Sequence, residues 1–439
     1  IHKWGTLAGG ALNDRTPQNL AAFHKAMYVP SRMTLVVSGD VSSGDVLNEI
    51  VRIYPQAAVA ATKPAALKLE TGQKEFRYGS MEADVRFARL LFGFHTVPGN
   101  SKDHPALEVL NAILGTGEGS ILAVRLRDQK KLILAQETKL TANPDWGYWT
   151  LRVDVKPENI DRSEIALLTE LELLKREEPG EADMERAFAQ LERAYWEDLE
   201  TVSQRAHTLA RFESMGDWKH MDRYIAGIRQ VKPADVRRVA ARYLNLENCS
   251  LIEWLPASGE QRKLAAESVR NTLSGLLTPS TDQEQAERER EVVLAVKIPK
   301  ANPSFKPSEV RYPFQTASIL RGPDLFIRED HTTPLIDMGI FFPAGRLSED
   351  EGNSGITSLM ARVMSRGPGE KTAAQFHRQL EVYGGQVRPV VAPDYFGFRF
   401  SILSRNFEAG FNLLLDLIKA PTFDPGEIER QKEMQSAEI

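Results

Sequence analysis

Between residues 259 and 310 the chain loses every pattern from which a core is built. The run Gln283-Glu284-Gln285-Ala286-Glu287-Arg288-Glu289-Arg290-Glu291 is charged and helix-prone, and Pro299, Pro303 and Pro307 then follow at short intervals. Charge repulsion and spaced prolines extend a chain and leave no apolar face to bury, so 259–310 is expected to be a long linker between two lobes. Everything else must fold on one side of it or the other.

On the N-terminal side, residues 1–60 predict a helix opened by Thr16-Pro17, with Leu20, Phe23, Ala26 and Met27 on one face. Thr34 to Asp40 then reads as a buried strand ending in a turn, and Val46, Ile50 and Ile53 mark a second helix. A polar connection from Ala57 to Gln73 leads into a complete domain pattern over 76–258. It contains a strand (Arg86 to Phe94), a helix (His104 to Leu114), a glycine-rich turn and another helix. Two strands (Leu132 to Leu140, Trp146 to Val155), amphipathic helices between Arg162 and Tyr243, and a last strand from Cys249 to Leu255 complete it. Beyond the linker, 311–439 repeats the strand and helix order as a further, truncated domain.

There is an internal echo. Thr16-Pro17, Tyr28 and Thr34-Leu35-Val36 are matched by Lys232-Pro233, Tyr243 and Ser250-Leu251-Ile252, 215 to 216 residues on. Repetition at domain spacing implies duplicated domains, so the expected class is α+β: antiparallel-sheet-plus-helices units joined by a long linker.

Several functions are excluded on simple grounds. Basic and acidic residues number 55 and 60 and are interspersed, giving a net charge of -5, so nucleic acid and anionic membranes are not expected partners. No apolar run reaches the roughly 18–20 residues of a membrane span. Cys249 is the single cysteine, expected to be buried in its strand, which excludes an internal disulfide. Such low cysteine usage suits a bacterial periplasm, the favoured location, or a cytoplasm. Both ends look cut: the chain opens at Ile1 without a start methionine and stops at Ile439 inside a helical pattern.

Local chemical motifs are few. No two of the eight histidines are closer than nine positions, which leaves no local histidine pair for a metal. His104 with Glu108, and His377 with Glu381, share a helix face at i, i+4 and are expected to be surface pairs. Gly115-Thr116-Gly117-Glu118-Gly119 lacks the lysine of a phosphate loop and is expected to be a flexible turn. The Arg/Glu-rich helix around Glu177 to Arg193 reads as a solvated face.

The order of the segments nevertheless resembles one family. Pro343-Ala344-Gly345-Arg346-Leu347-Ser348-Glu349, then Asn353-Ser354-Gly355-Ile356-Thr357 and a helix ending at Arg366-Gly367, is similar to the lead into the zinc helix of pitrilysin/insulinase-type peptidases, the two-lobed inverzincins. That helix carries H-x-x-E-H, whose two histidines lie on one face and bind zinc while the glutamate serves as general base. Here the five positions read Ser358-Leu359-Met360-Ala361-Arg362, so ligands and base are degenerate at Ser358, Ala361 and Arg362, and the bland reading is an amphipathic core helix. Glu438, 76 positions after Arg362, stands where the resemblance places the third ligand. It is a remnant, either pairing with Arg362 or an ordinary surface glutamate.

Three further stretches carry the resemblance. Ile121 to Leu134 is similar to the family segment in which an Arg and, seven residues on, a Tyr hold the substrate carbonyl; Arg127 keeps the first position and Leu134 replaces the second. His2-Lys3-Trp4-Gly5 and Tyr28 to Val41 resemble the end of the family's first domain. Gly384-Gly385-Gln386-Val387-Arg388 resembles its glycine-led edge strand, to which a substrate adds through backbone hydrogen bonds. In the sharper reading Gly384 and Gly385 admit a second backbone, with Gln386 beside it, as an auxiliary anchoring site; the bland reading is a hairpin of ordinary sheet.

The resemblance implies a processing-peptidase/pitrilysin fold: the end of a first domain (1–60), a second (76–258), and most of a degenerate third (311–439). It implies a zinc-dependent endopeptidase or oligopeptidase as parent, with zinc outside this segment and none within it. Expected partners are peptides or unfolded polypeptides, and a second copy or a partner peptidase subunit. The alternative is a non-catalytic pseudo-peptidase that assembles or binds peptides.

Overall fold

The computed structural model describes residues 15–29, 33–53, 72–257, 265–276, 313–318, 322, 324–369 and 371–437. His2 to Gly5, most of the 259–310 segment and Glu438 lie outside the described residues. The described residues fall into two compact units, one from the N-terminal stretch with Thr201–Trp218, the other from Gly72–Glu200 and Lys219 onwards.

The first unit contributes α1 (Pro17–Met27) and α2 (Ser43–Ile53). Thr16 caps α1 in a reciprocal box: its hydroxyl accepts from the Asn19 amide at 3.3 Å while the Asn19 side chain accepts from the Thr16 amide at 3.0 Å. The helix over Val202–Ser214, α6 in chain order, is boxed the same way by Thr201 and Gln204. The strand expected from Thr34 to Asp40 does not form. Leu35 and Val37 are exposed, and no strand lies beside them among the described residues, so their backbone has no ladder to join.

In the second unit, β1 (Arg77–Ala83), β2 (Ala88–Thr96), β3 (Ala135–Ala142), β4 (Gly147–Val155) and β5 (Cys249–Pro256) form a sheet in the order β1-β5-β2-β4-β3. Only the β1–β5 pair is parallel. Leu90, Phe92 and Phe94 on β2, and Trp149, Leu151, Val153 and Val155 on β4, alternate inward as a period of two requires. Against that face pack α3 (His104–Gly115), α4 (Ile160–Arg176) and α8 (Pro233–Tyr243). Each such buried side chain is worth roughly 1.5–3 kcal/mol. Cys249 has no exposed surface, and burial pushes its thiol pKa up. Between α4 and α8 come α5 (Glu181–Glu197), α6 and α7 (His220–Arg229).

Part of the segment expected to be linker belongs to this core. Ala266–Leu276 is a helix, α9, that packs on α4 and buries Leu273. Its apolar positions Val269 and Leu273, four apart, form a stripe too short to stand out in so polar a stretch.

After the hairpin β6 (Gln315–Ser318) and β7 (Asp324–Ile327), a second sheet has the order β8-β10-β9, all antiparallel. It comprises β8 (Leu335–Phe342), β9 (Gln386–Val391) and β10 (Phe396–Leu403). Between β8 and β9 run α10 (Ile356–Met364) and α11 (Ala373–Val382); after β10 come a 3-10 turn, α12 (Phe407–Lys419) and α13 (Pro425–Ala437). The first sheet follows the same plan. β2, two helical segments, the hairpin β3–β4 in the order β2-β4-β3, a 3-10 turn and two helices repeat element for element. Among the described residues no helix is long and apolar enough to cross a membrane.

Candidate functional site: an arginine-lined cleft

The two halves of the second unit meet at a cleft of ≈ 360 Å³. One wall comes from the first sheet's half: the 115–119 turn, the π-helical segment Leu122–Gln129 and α5. The other comes from α10, α11, β9 and α13.

Local chemistry fixes each wall. Gly355 has φ +88°, a conformation that glycine adopts readily, and opens α10. The Glu349 carboxylate accepts from the Gly355 and Thr357 amides at 2.7 and 2.9 Å, which holds it below the usual carboxylate range. Gln435 of α13 donates to the Gly355 carbonyl at 3.0 Å, tying α13 to the same helix start.

Arg186 on α5 has no exposed surface. It donates to the carbonyls of Ala112, Ile113 and Thr116 at 2.7, 3.0 and 2.8 Å, capping the last turn of α3, and to Glu381 at 2.9 Å. The other Glu381 oxygen accepts from the Glu118 and Gly119 amides at 2.7 and 3.0 Å. Burial pushes the Glu381 pKa up, while Arg186 and the Gly119 amide pull it back. Gln190 adds a bond to the Glu381 carbonyl at 2.9 Å.

A second cluster surrounds Arg366, at the end of α10. Its guanidinium meets Glu118, Asp128 at 3.1 Å and Glu427 at 3.2 Å. Arg127, also buried, pairs with Glu118 and Asp128, each at 2.7 Å. Burial works against charge on Glu118, but Arg127 and then Arg366 outweigh it and hold its pKa low. His377 is 5% exposed; burial, then Arg366, lowers its pKa to about 4, so it is neutral at pH 7.

Three expectations need correction here. His377 and Glu381 are a buried pair of cleft residues, not a surface pair. The face of α5 assigned to solvent buries Asp183, Arg186, Gln190 and Arg193, which recur at helical spacing and interlock with Met184, Ala187 and Phe188. That regular polar stripe was the available signal. The third concerns Gly384 and Gly385, which end α11 rather than lead an open edge. Gly384 has φ +68°, and the two amides donate to the Glu381 and Leu380 carbonyls at 2.9 Å each. Leu403 and Leu380 cover them, leaving no room for a second backbone.

Only some of the remaining sequence candidates line the cleft. Arg127, Arg362, Gly385 and Gln386 line it; Leu134 is buried, Ser358 is partly buried, and Ala361 has no exposed surface.

Comparison with known proteins identifies the family of the fold. Residues 14–191 match the model for the "Peptidase M16 inactive domain" and residues 325–439 that for "Insulinase (Peptidase family M16)". The chain belongs to the pitrilysin/insulinase family of peptidases. An uncharacterized zinc protease of Mycobacterium tuberculosis is 26% identical over 234 residues, 52% of this chain and 53% of that protein. The zinc protease PqqE of Helicobacter pylori is 25% identical over 239 residues, 52% of each chain. This chain thus spans about half the length of the curated relatives it matches. The crystal structure of the ferredoxin protease FusC in complex with Arabidopsis ferredoxin shares the fold at 14% identity, with a TM-score of 0.53 over 97% of this chain and 49% of that one.

Zinc does not fit the residues expected at the family's zinc-helix positions. Ser358 offers only a neutral hydroxyl, Ala361 has no donor, and Arg362 brings a cation to the cleft. Among the described residues no group of three His, Cys, Asp or Glu side chains is placed to hold a metal.

Proposed function

We propose that this chain is the non-catalytic stretch of a zinc-dependent endopeptidase or oligopeptidase, supplying scaffold and one wall of the chamber that receives unfolded peptides. The observation that carries the reading is the degenerate cleft itself. It keeps helix, edge strand and facing arginine, yet Ser358, Ala361 and Arg362 replace ligands and base. Arg127, the residue matched to the carbonyl-holding position, is instead committed to Glu118 and Asp128.

Metal analysis and peptide hydrolysis test it. The 439-residue chain is expected to hold no stoichiometric zinc and to cleave no peptide, whereas the whole proposed peptidase is expected to bind zinc and to cleave peptides. One tightly bound zinc per 439-residue chain, lost on Ser358 substitution, would sink the reading. The same degeneracy favours a second one, a pseudo-peptidase that assembles with a catalytic partner subunit or binds peptides. An H-x-x-E-H helix encoded ahead of Ile1 would decide for the first; zinc-free, inactive full-length protein would decide for the second.

A further inference from the structure

We infer that the N-terminal unit of one copy of this chain docks on the second sheet of another, residues 33–38 adding a strand to the open edge of β8. The first sheet supplies the template. There β2 is paired on both sides, by β4 and by β5, and α8 and α9 pack on α4. In the second sheet β8 and β10 stand in the places of β2 and β4, but among the described residues no strand lies on the other side of β8.

The ladders fix the correspondence. Counted back from the 3-10 turns that open at Pro157 and Ser404, Val155 corresponds to Ile402; their ladder partners are Ala88 and Ile336. Further along the strands, Met338 and Ile340 correspond to Leu90 and Phe92. Leu90 and Phe92 have no exposed surface, whereas Met338 and Ile340 are only partly buried. An unpaired edge beside an apolar face invites a further strand.

Elements of the missing kind make up the N-terminal unit. There α1, residues 33–38 and α2 follow one another as α8, β5 and α9 do. At the 216-residue spacing of the sequence echo, Leu20 and Phe23 correspond to Val236 and Val239, and Leu35 and Val37 to Leu251 and Glu253. The four residues of α8 and β5 are buried, but Leu20, Phe23, Leu35 and Val37 are 65, 58, 54 and 47% exposed. A helix face and a strand that the template would cover are thus both uncovered in the single chain.

The two pieces also match chemically. In the first half Glu253 of β5 meets Glu164 of α4, both buried. The corresponding positions hold Val37 and, on α12, Phe411. Both carboxyls are replaced by apolar side chains, as a contact between these positions requires. Phe411 lies in a stripe with Phe407, Leu415 and Ile418, all partly buried. Their counterparts on α4, including Ile160, Leu168 and Leu171, are buried. The register of β5 on β2 carries over as Leu35 opposite Ile340 and Val37 opposite Met338. Reciprocal exchange between two copies covers both faces of both chains in one closed dimer.

The inference concerns neither the cleft nor zinc and stands apart from the peptide chamber. Light scattering on the 439-residue chain should give twice the 49.1 kDa of one chain at micromolar concentration. Leu35→Asp should raise the dimer Kd at least about tenfold and leave the circular dichroism spectrum unchanged, because a carboxylate would have to enter an apolar junction. Leu35→Cys and Ile340→Cys chains, mixed and oxidised with diamide, should form a disulfide-linked pair that neither gives alone. Directly opposed Cβ atoms lie about 4.5–5.5 Å apart, and Cys249 is buried and does not compete. A chain that stays monomeric would overturn the inference. So would a dimer that Leu35→Asp leaves intact, or a cross-link formed only when one chain carries both cysteines.

Discussion

Arg186 donates to Glu381 at 2.9 Å across 195 residues of sequence, and the arginine has no exposed surface. The bond joins the half built on the first sheet to the half built on the second. Both groups are satisfied elsewhere too: Arg186 by three carbonyls ending α3, Glu381 by two amides of the 115–119 turn. Glycine is needed in that turn at Gly117, whose φ is +84° and whose added Cβ would lie 2.5 Å from the Glu381 carboxylate. The turn expected to be flexible is therefore the receptor for a side chain from the other half.

Removing both partners should cost less than the sum of the two single losses. Glu381→Leu leaves a buried guanidinium and two amides uncompensated and is expected to destabilise the chain by about 3–5 kcal/mol. The paired apolar replacement, Arg186→Met with Glu381→Leu, should fall short of the sum of the single losses by more than about 1 kcal/mol. Urea unfolding of the four proteins measures this cycle. Additive losses would mean that the two residues act separately.

The pattern of apolar residues made the sheets legible because a period of two with β-branched and aromatic residues survives in any context; β2, α3, β4 and β5 lie within two or three residues of their expected places. The matched order of elements in the two halves was legible for the same reason. What the pattern hid was burial of charge. Arg186 and Arg366 look like ordinary surface residues in sequence, since Glu381 and Glu118, which pair with them, lie on the other half of the unit. Partnership, not residue type, decides whether a charge can be buried, and partnership is a long-range property. β1 was hidden for a related cause: its sequence, Arg77 to Ala83, has no apolar face and is held by parallel pairing to β5.

A pH-dependent term resides in the first core. Burial, then the side chain and charge of Glu253, raises the Glu164 pKa to about 10, and Tyr78 donates to Glu253 at 2.7 Å. With the folded pKa above the unfolded value of about 4.3, the folded state holds a proton that the unfolded chain releases. This contribution is fully present below about pH 4 and is lost as pH rises towards 10. Glu164→Gln keeps a neutral donor without that loss. The variant should therefore match the parent near pH 4 and exceed its stability increasingly from pH 6 to 9, in urea midpoints taken across that range. A parent and variant that run parallel with pH would show that Glu164 ionises normally.

Gly384 offers a sharper steric test. Its φ is +68°, and an added Cβ would lie 2.3 Å from Cδ1 of Leu403. Gly384→Ala therefore combines a strained backbone with an overpacked core, and a loss of about 1–3 kcal/mol is expected. Gly180→Ala, where nothing lies within 4 Å, is the control and should be within about 0.5 kcal/mol of the parent. Equal midpoints for the two would contradict a left-handed cap at the end of α11.

Pro389 bears on whether the β9 edge serves peptides at all. It pairs with Phe398 in the β9–β10 register, and a proline inside a two-sided ladder would break a hydrogen bond, so its nitrogen belongs on the outer side of the strand. Residues two apart share a side, which leaves the outer edge with donors from Val387 and Val391 and a gap between them. Pro389→Val fills that gap without adding charge. A peptide that lies along β9 should then gain one backbone hydrogen bond, worth about 0.5–1.5 kcal/mol or roughly two- to tenfold in affinity. The gain should be the same for neutral and acidic peptides, because the new donor reads backbone and not side chains. Anisotropy titrations of Pro389→Val with both peptides measure the edge contribution. Unchanged affinity for both would place bound peptides away from the β9 edge.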